Sequence, residues 1–144
     1  MSAKIRCIRK LHFCAGHRVM GHESKCATPH GHNYDLHIFA EADKLDSLGR
    51  VIDFSVLKEK IGAWIEEFWD HNFLVFEKDH ELIQALTAVS AKKKPFICPF
   101  NPTAENMAYY LLHKICPEQL HGASVRVTKI ALHETKNCYV EVEI

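Results

Sequence analysis

Hydrophobic and polar residues alternate over residues 4–17. Ile5, Cys7, Leu11, Phe13, Ala15 and His17 share one parity; Arg6, Lys10 and His12 share the other. Successive side chains of a strand point to opposite faces, so this pattern predicts a half-buried strand with His17 at the end of its apolar face. Residues 18–29 read as a loop, broken by Gly21 and Pro29. Alternation resumes over 32–42, with His32, Tyr34, Leu36, Ile38 and Ala40 on the apolar face and Asn33, Asp35, His37 and Glu41 on the polar one. Two strands therefore each bring a histidine to one end of a buried face. The same parity turns His37 away from it.

The period then changes. Leu57, Ile61, Trp64, Ile65 and Phe68 fall on one side of a helix predicted over 55–69, with Lys58, Glu59, Glu66 and Glu67 opposite and Asp53 or Ser55 as its cap. Asp70-His71-Asn72 follows where that helix should end. A weaker amphipathic helix spans 79–90, and Lys92-Lys93-Lys94-Pro95 breaks the pattern. Asn101-Pro102-Thr103 opens a third helix with Met107, Leu111, Leu112 and Ile115 as its stripe; Pro117 should stop it. Residues 123–134 and 138–144 read as strands joined by a short turn at 135–137, with Cys138, Val140, Val142 and Ile144 facing inward. Two hairpins with helices between them predict an α+β fold, a four-stranded antiparallel sheet with helices on one face. The whole chain, residues 1–144, reads as one domain.

Composition narrows the function. The 144 residues carry 18 basic and 18 acidic side chains, so the net charge is zero. Phosphate backbones require a basic excess, which argues against nucleic acid as the partner. No apolar run is long enough to span a membrane, and the N-terminus has no hydrophobic signal segment; a cytoplasmic location is the expectation. The six cysteines then read as reduced thiols, mostly small buried apolar residues. Eleven histidines tilt the balance towards a metal site.

The chemistry concentrates in His17, Cys26, His30 and His32. His30 and His32 are two residues apart and share a side of an extended chain; Gly31 between them adds no bulk. Three histidines suit a catalytic zinc, which takes three protein ligands and keeps one position open. Cys26 sits in a polar loop beside Lys25, which favours its thiolate. It can equally be a fourth ligand that closes the site, or a buried small residue. Asp70 beside His71 can form an acid–base pair if the carboxylate fixes the tautomer of the ring. Otherwise the two are a polar helix end.

Taken in order, these segments resemble the 6-pyruvoyl-tetrahydropterin synthase superfamily. Phe13-Cys-Ala-Gly-His17 looks like its Phe-x-Ala-x-His element, and Cys26-x3-His30-Gly-His32 like its central motif. Asp53-Phe54-x-x-Leu57-Lys58, Asp70-His71, Pro102-Thr103-x-Glu105-Asn106 and His133-Glu134-Thr135 follow in the family's order. The likeness covers roughly residues 5–76 and 99–144 by motif count. The three-residue gap between Cys26 and His30 is similar to that of the bacterial 6-carboxytetrahydropterin synthases of queuosine biosynthesis. Residues 77–100 depart from the family as an insertion relative to most members.

The resemblance implies the tunnelling fold, in which sheets of three subunits join into a trimeric barrel, two trimers stack into a hexamer, and active sites lie between subunits. It implies zinc on His17, His30 and His32, with Cys26 as proton acceptor working with Asp70 and His71 across a subunit boundary. Glu134 becomes the pterin anchor, because a carboxylate can accept two parallel N–H bonds from the pterin edge as it does from Arg. The backbone around Thr103 touches the ring. Glu105 keeps the ordinary role of a first-turn acid, and Lys92–Lys94 that of a solvated charge run. The implied activity is a lyase acting on 7,8-dihydroneopterin triphosphate to give 6-carboxytetrahydropterin, acetaldehyde and triphosphate. The alternatives are a synthase that releases 6-pyruvoyltetrahydropterin without carbon–carbon cleavage, and a pterin-binding or structural zinc protein without turnover.

Overall fold

Strands β1 (Cys7–His17) and β2 (His30–Glu41) form the longest pair in the molecule. In the computed structural model, which describes residues 3–89 and 91–144, they run antiparallel from Cys7↔Ala40 to His17↔His30. The register places Leu11 opposite Leu36 and Phe13 opposite Tyr34, and all four side chains are buried. The Phe13 and Tyr34 rings stack with centroids 4.8 Å apart. Strand β2 begins at His30, two residues before the predicted start at 32, so His30 joins the sheet and the loop spans 18–29 as expected.

Two helical runs cover the apolar face. The first comprises α1 (Phe54–Leu57), a π turn at Lys58–Gly62 and α2 (Ala63–Phe68), with Leu57, Ile61 and Ile65 buried as the stripe predicts. Asp53 is its cap; the carboxylate accepts from the Ser55 amide. After α3 (His80–Thr87), the last run comprises α4 (Ala104–Tyr110), a π turn at Leu111–Ile115 and α5 (Cys116–Gln119). Pro117 does not stop this helix, contrary to expectation. The π turn before it shifts the hydrogen-bond ladder, so a residue without N–H is tolerated at the start of α5. Met107, Leu111, Leu112 and Ile115 join the same core as the strands and the first helix.

The sheet corrects the expectation of four antiparallel strands. It has six, mixed, in the order β4-β3-β1-β2-β5-β6. Strands β5 (Arg126–His133) and β6 (Tyr139–Glu143) are antiparallel, as predicted. The additional strands, β3 (Asn72–Phe76) and β4 (Phe96–Cys98), lie parallel beyond β1. They are short, with no alternation to reveal them, and their partners are distant in sequence. Gly16 helps β3 dock: a Cβ there would meet the Phe73 ring at 2.5 Å. Residues 77–100 supply α3 and β4, and Asp79 both caps α3 and takes a bidentate Arg18 at 2.7 and 2.5 Å. The helix predicted over 79–90 ends at Thr87; Ser90 lies outside the described residues.

Two further expectations change. Cys138 and Ile144 are exposed and not inward-facing, because β6 is a five-residue edge strand and both flank it. All six cysteines are free, with Cys7, Cys98 and Cys116 buried but Cys14 and Cys138 exposed. Cys14 falls on the parity of the open face of β1. Among the described residues, no helix is long and apolar enough to cross a membrane.

Candidate metal centre and active site

The hairpin register builds a triangle of imidazoles. His17 is the direct cross-strand partner of His30, and His32 pairs with Ala15 two residues along on the same face. Ring centroids are 4.7 Å apart for His17–His30, 5.2 Å for His17–His32 and 4.9 Å for His30–His32. One ligand atom from each lies within 4.8 Å of the others. Alternation over two strands is enough to place these three groups; no special loop is required.

The outer partners prepare the rings for a cation. His17 Nδ1 donates to the Pro102 carbonyl at 2.6 Å, and His30 Nδ1 donates to the Thr28 carbonyl at 2.7 Å. A carbonyl can only accept, so the proton sits on Nδ1 and the Nε2 lone pair is left for a metal. His32 Nε2 is buried without a hydrogen-bond partner. Glu134 Oε2 approaches it to 3.0 Å, but off the hydrogen-bonding direction, and lies 3.5 Å from His17 Nε2. Burial lowers the His17 pKa to about 4; the Pro102 carbonyl opposes this, and the neighbouring imidazoles reinforce it. Burial likewise lowers His32, against the pull of Glu134. Neutral imidazoles with an orphaned buried nitrogen fit a divalent cation, and three nitrogen donors suit zinc.

Cys26 occupies a one-turn 3-10 helix, Lys25–Ala27, and is half-buried. Its carbonyl accepts from the Val19 amide at 2.9 Å, which folds the loop back on the end of β1. The mutually close ligand atoms are those of the three histidines, and Cys26 is not among them.

Asp70 and His71 occupy the turn between α2 and β3. Asp70 Oδ2 lies 3.1 Å from His71 Nδ1, and Asp70 Oδ1 accepts from the Cys14 amide at 2.9 Å. Burial alone would raise the Asp70 pKa; the Cys14 amide, His71 and Lys93 outweigh it and hold it below the usual range. His71 has φ of 56°, a left-handed conformation that costs a non-glycine residue about 1–2 kcal/mol. Its ring is exposed. His71, His32, Cys14, Gly31 and Asn33 line one open cavity of about 410 Å³, whose lining includes neither Asp70 nor His17 and His30. Cys26 is not in that lining.

Thr103 caps α4 by accepting from the Asn106 amide at 3.1 Å, and Glu105 is exposed in the first turn. The neighbouring Pro102 carbonyl is what reaches the metal centre. Tyr34 was not anticipated there: its hydroxyl lies 3.5 Å from His17 Nε2, and burial pushes its pKa upward, so it remains a phenol. Its place on the apolar parity of β2, two residues past His32, is the signal that locates it.

A 6-carboxy-5,6,7,8-tetrahydropterin synthase of Rickettsia felis is 41% identical over 138 residues, covering 96% of this chain and 99% of that one. A crystal structure of an uncharacterised Wolinella succinogenes protein has the same fold, with a TM-score of 0.82, 21% identity and coverage of 99% of both chains. The Caenorhabditis elegans 6-pyruvoyl tetrahydropterin synthase structure matches with a TM-score of 0.66 and 24% identity, over 99% of this chain and 96% of that one. The family model described as 6-pyruvoyl tetrahydropterin synthase matches residues 6–144, and the chain belongs to that family.

Proposed function

We propose that this protein is a zinc-dependent carbon–carbon lyase that converts 7,8-dihydroneopterin triphosphate to 6-carboxy-5,6,7,8-tetrahydropterin, acetaldehyde and triphosphate. The observation that carries this reading is the 41% identity, nearly end to end, with an enzyme named for that product. The three convergent imidazoles support it.

Zinc held by His17, His30 and His32 would supply a Lewis acid for the side-chain oxygens of the substrate. Cys26 serves as the base that removes a proton from that side chain. Asp70 orients His71 through Nδ1, which leaves Nε2 to exchange protons in concert with Cys26 across a subunit boundary. Glu134 anchors the pterin by accepting two N–H bonds along one edge. The chain around Thr103 borders the ring, while Pro102 and Thr28 hold the ligands' tautomers.

The assembly is a trimeric barrel, stacked in pairs as a hexamer. Among the described residues, β1 meets β3 only at Ala15 and Gly16 and the preceding turn at Cys14, so residues 7–13 expose a strand edge, and β6 exposes another. Two unlike open edges on one sheet suit head-to-tail closure into a ring.

The test is incubation of zinc-loaded protein with 7,8-dihydroneopterin triphosphate. Acetaldehyde formed in step with 6-carboxytetrahydropterin supports the lyase. Triphosphate release with a pyruvoyl product and no acetaldehyde would replace it with the synthase reaction, and no consumption would leave a binding protein. Sedimentation decides the assembly, which an active monomer would refute.

A further inference from the structure

The Lys92-Lys93-Lys94 run does not behave as a uniform solvated patch. The Lys93 ammonium lies 2.5 Å from the Glu66 carbonyl and 2.5 Å from the Asp70 carbonyl. These oxygens belong to the end of α2 and the turn beyond it, where carbonyls lack intrahelical partners and the helix dipole is negative. Next along the chain, the Lys94 carbonyl accepts from Asn72 Nδ2 at 3.0 Å, and the same amide donates to the Phe68 carbonyl at 2.8 Å. Residues 93–94 thus clasp segment 66–72 from one side.

Strand β1 clasps it from the other. The His71 amide donates to the Cys14 carbonyl at 2.6 Å, and the Cys14 amide donates to Asp70 Oδ1 at 2.9 Å. Between the two clasps, His71 keeps its left-handed backbone, which persists only where the surroundings over-determine it. The two sides are not equivalent. The β1 side includes a backbone-to-backbone bond, whereas the other side is held by side-chain donors alone, the Asn72 amide and the Lys93 ammonium.

We propose that Lys93 is a positioning residue for the Asp70–His71 pair: its ammonium ties the Glu66 and Asp70 carbonyls together and so holds the turn that carries both side chains. The catalytic consequence rests on the lyase reading; the tether itself does not. Lys92 and Lys94 carry the same charge and are exposed, so they separate a tether from a charge field.

Lys93→Met keeps the aliphatic stem and removes the donors. With 7,8-dihydroneopterin triphosphate, its kcat should fall about 10- to 100-fold, as small misplacements of reacting groups do. KM should change less than about twofold, because the tether positions catalytic groups without binding substrate. Zinc content should be unchanged. Lys93→Arg, which can also donate to two carbonyls, should restore most of the rate, and Lys92→Met and Lys94→Met should resemble the parent. Hydrogen exchange by mass spectrometry gives a readout independent of turnover. Peptides spanning the His71 amide should exchange about tenfold faster in Lys93→Met, equivalent to losing roughly one hydrogen bond. Unchanged exchange overturns the proposal whatever the kinetics. Equal losses in all three Lys→Met variants, or a raised KM with unchanged kcat, would overturn it in favour of electrostatic attraction of the triphosphate. If the parent enzyme consumes no substrate, the lyase reading falls and the exchange data still decide the tether.

Discussion

The same strands carry a cluster of histidines on each face, and among the described residues only one of them converges as a candidate metal site. Towards the helices stand His17, His30 and His32, with Glu134 beside them. On the opposite face, His12 pairs with Asp35, the His37 and His133 rings lie 4.7 Å apart, and His133 stacks on Tyr139 at 4.3 Å. Each face offers three imidazoles and a carboxylate. The difference lies in what holds the other ring nitrogen. On the helix side, backbone carbonyls fix two tautomers, burial lowers the pKa of His17 and His32, and the ligand atoms converge. On the open side, the rings pack face to face or pair with a carboxylate, and none of them joins a group of convergent ligand atoms. Histidine count does not make the centre; outer partners and burial do.

The largest expected effect separates the faces directly. His30→Ala should lose most of the zinc measured by elemental analysis and reduce turnover below detection, while His37→Ala should retain both. Equal zinc in the two variants would break the distinction. Next comes Cys26→Ala. A proton acceptor outside the ligand set should cost about 10²- to 10⁴-fold in turnover with zinc retained. Zinc loss in this variant would instead make Cys26 a fourth ligand.

These contrasts explain which parts of the molecule were legible in the sequence. Alternation over two long strands, with His17 and His32 sharing the apolar parity and His37 opposing it, was enough to assign the faces. Strands β3 and β4 were not legible, because five-residue and three-residue segments with parallel partners carry no periodic signature of their own. Pro102 and Thr28 were missed as supports of the metal centre for a different reason. They act through main-chain carbonyls, which every residue has. Lys93 read as solvated because a charge run suggests water, and only the folded turn shows two carbonyls waiting for a donor. Asp70 and His71 were visible as a pair, but their contact and the left-handed backbone that sets it were not.

A smaller effect probes the carboxylate that borders the cluster. Glu134 lies close enough to two ligand nitrogens to serve the metal, yet the proposed role is to hold the pterin. Glu134→Gln keeps the shape and removes the charge. Loss of a charged hydrogen bond is worth about 1.5–3 kcal/mol, so KM or the dissociation constant for a pterin should rise roughly 10- to 150-fold. Zinc content measured on the same sample should stay level. A fall in zinc with unchanged pterin affinity would move Glu134 from the substrate to the metal.

The smallest effect is expected on the open face, and it sharpens the comparison because it is small. The His12 and Asp35 side chains are 80% and 47% exposed, so water screens their attraction and competes for their hydrogen bonds. His12→Ala should therefore shift Tm by less than about 3 °C, the range set by a surface pair in a chain of this size. Zinc content and turnover should match the parent. A larger loss of stability, or dissociation of the oligomer on sedimentation, would show that this face is covered in the assembled protein. Its histidines would then serve contacts between subunits, and their failure to converge within one chain would no longer distinguish the two faces.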